Sequence, residues 1–202
     1  MKASANPFRS SSVEQIRYAL PAESLESLVD QALRLSCSCL LGPKGSGKTT
    51  LLEDLEARLQ QRGVQIHWAQ LQLESTQQAR AHTIAQLQDL GAQHVCLFDG
   101  AEVLNFWQWR RVCHIAHSNR TTLIATLHRK RGVPILLRTQ ADWALAQQLV
   151  RRLSGTHCSE QLLQHAQHAF QSSQGNMREV FRACYLLLAN DYSHVSETRT
   201  YR

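Results

Sequence analysis

The sequence predicts a three-layer α/β/α domain built on a parallel sheet, followed by a small helical lid. Three observations carry that prediction. Strand-like and helix-like segments alternate through residue 140, the pattern of a sheet with helices on both faces. Residues 95–98 form an unbroken apolar run, as a strand covered on both sides requires. Beyond 141 only helical periodicity remains, with apolar stripes over 142–153, 159–172 and 177–189.

The elements follow in order. Residues 1–22 read as an N-terminal extension, loosely ordered over 1–12, where Asn6-Pro7-Phe8-Arg9 precedes three serines. Apolar residues at 25, 28, 29, 32 and 33 give helical spacing. Residues 35–41 read as the first strand, and a helix with Leu51, Leu52, Leu55 and Leu59 ends at Arg62-Gly63. Residues 64–69 alternate as a second strand, and 76–90 form a Gln-rich helix that Gly91 ends. The third strand is 95–98, a helix spans 106–117, and strands follow at 121–127 and 134–138. The expected boundaries are therefore a core over 23–140, a lid over 141–190 and a flexible tail over 191–202.

Between the first strand and its helix lies Gly42-Pro43-Lys44-Gly45-Ser46-Gly47-Lys48-Thr49-Thr50. The pattern G-x-x-x-x-G-K-T lets glycines fold the backbone tightly, so that successive N–H groups converge on a phosphate. Lys48 is then placed for the β- and γ-phosphates, the Thr49 hydroxyl for Mg²⁺, and the helix N-terminus for the anion. Asp99 ends the apolar strand, where a parallel sheet presents ligand residues, and is the expected second holder of Mg²⁺. Many related ATPases carry a glutamate directly after this aspartate; here the position is Gly100, and the next acid is Glu102. Glu102 is the candidate water-activating residue, with a helix N-terminal acid favoured by the dipole as the plainer alternative. Thr126 and His128, at the end of the fourth strand, are candidate sensors of the γ-phosphate if that strand lies between the first and third. Arg129, Arg131 and Arg138 are weaker candidates. Gly175-Asn176-Met177-Arg178 reads as a break between lid helices, with Arg178 on the first turn of the last one.

This order of motifs resembles the AAA+ and STAND branch of P-loop ATPases over residues 23–190. The resemblance implies a P-loop core of strand order 5-1-4-3-2 with a helical lid closing over the base. Carried over, Lys48 and Thr49 match the Walker A lysine and hydroxyl, Asp99 the Walker B aspartate, Thr126 the sensor 1 position, and Arg178 the sensor 2 arginine. Asp99-Gly100-Ala101-Glu102 looks like the NACHT-type Walker B. The chain also resembles short planctomycete-type ATPases with an early Asn-Pro-Phe, an Asp-Gly-x-Glu and a Gly-Asn-x-Arg. It departs from the AAA+ pattern in having no glutamate after Asp99 and no evident arginine finger.

Composition narrows the remaining classes. The chain has 202 residues and a net charge of +6, and its short basic groups (Arg110-Arg111, Arg129-Lys130-Arg131, Arg151-Arg152) read as a solvated face. No basic stripe with interleaved aromatics is evident, so net charge alone points to nucleic acid. The six cysteines contain no C-x-x-C pair and read as small buried hydrophobes in a reducing compartment. No apolar run is long enough for a bilayer and no signal-peptide core is present, so a cytoplasmic protein without a membrane partner is expected. No Asn-Lys-x-Asp guanine motif occurs, which favours ATP. The expected function is an ATP-binding, slow Mg²⁺-dependent ATPase acting as a nucleotide-driven switch, with an unidentified protein partner. The alternatives are a non-hydrolysing nucleotide-gated binding module and a DNA-associated AAA+-like ATPase.

Overall fold

In a computed structural model, residues 5–18 and 20–197 are described, with side chains described as far as residue 190. The chain runs α1 (Ser10–Val13), α2 (Ala22–Leu33), β1 (Cys37–Leu41), α3 (Lys48–Gln61), β2 (Gln65–Gln70), α4 (Gln77–Gln86), β3 (His94–Asp99), α5 (Phe106–Ser118), β4 (Thr122–Leu127), β5 (Ile135–Arg138), α6 (Trp143–Ser154), α7 (Glu160–Ser172) and α8 (Met177–Glu197). Short 3₁₀ turns lie at Leu87–Asp89, Ala101–Val103 and Gly155–His157. Contacts divide the chain into two compact units: Tyr18–Gly42 with Gly47–Thr139, and Met1–Arg17 with Pro43–Ser46 and Gln140–Arg202.

The first unit is a five-stranded sheet in the order β2-β3-β4-β1-β5, which is 5-1-4-3-2 read from the other edge. All its pairings are parallel. Strand side chains alternate between faces, and two apolar layers result. Cys39, Leu41, Cys96, Phe98, Leu123, Ala125 and Leu127 pack with Trp109 and Val112 of α5 and Ile84 of α4. Leu40, Val95, Leu97 and Ile124 pack on the other face with Leu51, Leu52, Leu55 and Leu59 of α3 and Leu28 and Val29 of α2. The same parity sends Asp99, two residues after Leu97, and Thr126, two after Ile124, toward the α3 side at the C-terminal edge of the sheet. That edge is where α3 begins.

The second unit is helical. Asp142 and Ser159 cap α6 and α7 by accepting from the N–H groups of Leu145 and Leu162, each worth about 1 kcal/mol. Ala146, Val150, Leu162, Ala166, Val180 and Cys184 form its core. The expectation of a loose N-terminus is corrected for the described part of 1–12. Phe8 is 4% exposed and stacks on Phe181 at 6.2 Å. Asn6 donates to the Tyr185 carbonyl at 3.0 Å and its own side-chain oxygen accepts from Phe8 N–H. Asn-Pro-Phe is thus a clasp rather than a tail. Helix α8 continues to Glu197, so the tail expected from 191 is helical over 191–197, and 198–202 lie outside the described residues.

The cysteines are free thiols. Cys39, Cys96 and Cys184 are buried, and burial pushes the Cys39 thiol up to about 11 and Cys184 up to about 12, which makes both inert at neutral pH. Cys37 and Cys113 are half-buried, 3.3 Å apart and share a hydrogen bond.

The α3 layer is one of the two apolar layers that bury the sheet. Leu55, fully buried, packs in that layer well away from the loop at Gly42. Leu55→Ala should lower the unfolding free energy by about 2–5 kcal/mol, read as a fall in the urea midpoint with an unchanged slope.

Candidate nucleotide-binding site

The loop after β1 is set by two left-handed glycines, Gly45 (φ +70) and Gly47 (φ +86). Gly47 directly precedes the first residue of α3, so the loop delivers Lys48 and Thr49 onto the first helical turn. Gly42 N–H donates to the Leu127 carbonyl at 3.1 Å, anchoring the loop to the end of β4. Lys48 is 7% exposed, and its Nζ donates to the Gly42 carbonyl at 2.8 Å. The ammonium is therefore folded back onto the backbone of Gly42. Thr50 is half-buried in the same helical turn, and Pro43 and Lys44 are exposed. Ser46 Oγ donates to the Pro43 carbonyl at 2.9 Å. Tyr18 lies over Gly47, where an added Cβ would stand 2.7 Å from its ring; desolvation by burial raises the Tyr18 pKa.

Asp99 is the hub of the larger unit's site. Its Oδ2 accepts from Thr49 Oγ1 at 2.9 Å and its Oδ1 from Thr126 Oγ1 at 2.7 Å. Thr126 in turn accepts from Gly100 N–H at 2.9 Å. An ionised carboxylate is an acceptor only, so both hydroxyls point their protons at it. Thr126 is 1% exposed and joins the ends of β3 and β4. The donor set of Thr49 and Asp99 is hard oxygen, which suits Mg²⁺; that ion takes few protein ligands and fills its other positions with phosphate and water. Among the described residues no group of three or more His, Cys, Asp or Glu is placed to hold a metal.

Glu102 does not begin α5. It lies in the 3₁₀ turn Ala101–Val103, and α5 starts at Phe106 with Asn105 and Gln108 forming a capping box, which removes the helix-dipole alternative. Its Oε1 is 3.2 Å from His128 Nε2. Its Oε2 is buried without a hydrogen-bond partner among the described residues. Arg131 donates to the Leu104 and Glu102 carbonyls at 2.6 and 2.9 Å, clamping the turn. Arg131 is thus engaged on the backbone, while Arg129 and Arg138 are exposed. His128 and Glu102 are separated by a strand and a helix, and no sequence signal pairs them. Arg131 as a clamp was equally invisible.

Gly100 explains why no acid follows Asp99. Its φ is +78, and an added Cβ would overlap the Leu71 carbonyl oxygen. That carbonyl belongs to the residue whose N–H bonds the Asp99 carbonyl at 3.0 Å, so the backbone has no room to withdraw.

In the helical unit, Gly175 is left-handed (φ +83) and separates α7 from α8. Asn176 Oδ1 accepts from Arg178 N–H at 3.1 Å and would be overlapped by a Cβ at Gly45. The Arg178 side chain is exposed and forms no ion pair among the described residues.

The parallel sheet, the glycine loop and the Lys48–Thr49–Asp99 set define a P-loop nucleotide-binding domain. A sequence profile of the family described as ABC transporter matches residues 34–192, and the chain belongs to that family of ATP-binding P-loop domains. No curated protein matches the chain. Two solved structures share its fold. A DNA replication initiation factor is 12% identical with a TM-score of 0.58 over 90% of this chain and 66% of its own. AMPPCP-bound DnaA from Aquifex aeolicus is 12% identical with a TM-score of 0.51 over 81% of this chain and 61% of its own. The chain thus spans less than two thirds of either. At this identity the two structures show a shared fold. Among the described residues no helix is long and apolar enough to cross a membrane.

Gly100→Glu tests the backbone constraint. Left-handed strain alone costs about 1–3 kcal/mol, and the overlap with Leu71 adds to it. The variant should melt clearly below the wild type and show no gain in ATP turnover. A wild-type melting curve would refute the constraint.

Proposed function

We propose that the chain is a slow Mg²⁺-dependent ATPase acting as a nucleotide-driven switch, with Lys48 on the phosphates, Thr49 and Asp99 as the metal holders, and Glu102 as the base. One observation carries this reading. Glu102 is pinned by His128 through one oxygen, while its other oxygen is buried and unpartnered at the sheet edge that bears Asp99. A buried carboxylate oxygen without a donor is costly and is suited to accept a proton. Mg²⁺, when bound, supplies charge neutralisation on the phosphates. In the reaction, a water oxygen bonds the γ-phosphorus and the bond to the β-phosphate oxygen breaks. The water proton passes to Glu102 Oε2, and ADP and phosphate leave. Thr126 holds Asp99 and is proposed as a positioning residue. Arg178, exposed and without an ion pair among the described residues, is proposed to report nucleotide state to the lid.

Slowness follows from the same geometry. The position directly after Asp99 cannot carry a side chain, so the base comes from a turn held by His128 and Arg131. That displacement also favours a second reading, a module that binds nucleotide and does not hydrolyse it, in which the bound state itself is the signal.

Nucleotide binding and turnover separate the readings. Lys48→Ala should weaken ATP binding by at least about tenfold, a loss of about 1.4 kcal/mol. Glu102→Gln should keep ATP affinity and lose turnover by about 10²-fold or more, the usual contribution of a general base. Unchanged turnover in Glu102→Gln would remove it from the chemistry. ATP binding by the wild type with no phosphate release would establish the non-hydrolysing module.

A further inference from the structure

Two cysteines that nucleotide chemistry does not use lie against each other. Cys37 opens β1, where it stands beside Leu123 of β4. Cys113 sits in the middle of α5, next to the buried Val112. Both pack at the margin of the apolar layer between α5 and the sheet. Their sulfurs are 3.3 Å apart, although the residues are 76 positions apart in the chain. A disulfide needs about 2.05 Å, so the remaining approach is roughly an ångström and asks only for small side-chain rotations.

Access and acidity single this pair out. Cys39, Cys96 and Cys184 are buried, and Cys158 is half-buried in the helical unit. Cys37 and Cys113 are both partly open to solvent. Their shared hydrogen bond divides the roles. It raises the Cys37 pKa, and burial and the nearby Cys113, Cys39 and Cys96 sulfurs push the same way, so Cys37 keeps its proton and donates it. The same bond lowers the Cys113 pKa against the opposing pull of burial. The thiolate is the nucleophile, so Cys113 is the attacking sulfur and Cys37 the resolving one. Redox-sensing cysteines have this makeup: thiolate character, access, and a second thiol in contact.

We propose that a hydroperoxide oxidises Cys37 and Cys113 to a reversible disulfide that staples β1 to α5. The Cys113 thiolate attacks one oxygen of the peroxide, and the O–O bond breaks. The sulfur becomes a sulfenic acid, and the leaving hydroxide takes up a proton as water. The Cys37 sulfur then bonds the Cys113 sulfur and the S–O bond breaks. The hydroxyl leaves with the Cys37 proton as a second water. The two thiols lose two electrons and the peroxide gains them. A half-buried sulfur admits a small neutral oxidant, whereas exchange with a bulky peptide disulfide is limited by access. The bridge closes a loop over residues 38–112, which carries Lys48, Thr49, Asp99 and Glu102. Oxidation therefore holds the unit that bears the nucleotide site against unfolding, by restricting its unfolded chain.

The staple is independent of the ATPase reading, and its test uses no nucleotide. The full chain is treated with hydrogen peroxide, alkylated in denaturant, and weighed by intact mass spectrometry before and after dithiothreitol. The expected product is a monomer lighter by two hydrogen atoms, in which two of the six thiols no longer alkylate; dithiothreitol restores all six. Fragmentation should place the bridge between Cys37 and Cys113. Cys37→Ser should leave a sulfenic acid on Cys113 that dimedone traps, and Cys113→Ser should slow thiol loss at least about tenfold. The bridged wild type should melt about 5–15 °C above the reduced form, and peroxide should not raise the melting temperature of Cys37→Ser. Retention of all six thiols, or oxidation without a bridge, overturns the proposal. So does a bridge through another cysteine or between two chains. Dimedone capture on Cys37 in Cys113→Ser at the wild-type rate overturns the division of roles. A bridged form that melts no higher than the reduced one overturns the staple. The wild-type mass and melting readings decide the proposal even where a variant fails to fold.

Discussion

The carboxylate of Asp99 is the constraint on which the rest of the site depends. It terminates β3, receives the Thr49 hydroxyl from α3 and the Thr126 hydroxyl from β4, and so fastens three elements at one edge of the sheet. Sheet parity is what makes this possible. Asp99 and Thr126 face the side on which α3 packs, because Leu97 and Ile124, two residues earlier, belong to the α3 layer. A slip of one residue in either strand would turn its side chain to the opposite face and dissolve the set.

Around that hub the backbone leaves little freedom. Gly100 must be left-handed, its N–H is committed to Thr126, and Leu71 blocks any Cβ. The next acid, Glu102, lies in the 3₁₀ turn, where Arg131 fixes the backbone and His128 the side chain. The same clamp ties the loop between β4 and β5 to the start of α5, where Trp109 Nε1 donates to the Arg131 carbonyl.

The helical unit follows a different logic. Its apolar stripes and its caps at Asp142 and Ser159 are local and independent of the sheet. The N-terminal Asn6-Pro7-Phe8 segment joins it through one side-chain hydrogen bond and one buried ring, a long-range closure across most of the chain.

Periodicity and spacing in the sequence determined the elements and the members of the phosphate loop, because alternation, helical stripes and glycine placement are local properties of the chain; the sheet order came from the family resemblance, and the structure has that order. They also placed Asp99 and Thr126 at strand ends. Only the tertiary structure decided who meets whom across those ends. The pairing of Glu102 with His128, the clamp of Arg131, the clasp of Asn6 on Tyr185 and the exposure of Trp107 beside buried Trp109 depend on how loops from separate strands and helices come together. A residue's own neighbours along the chain carry no record of that. The buried stripe of α5 was readable; that Trp109 on it would bond the Arg131 carbonyl was set by packing alone.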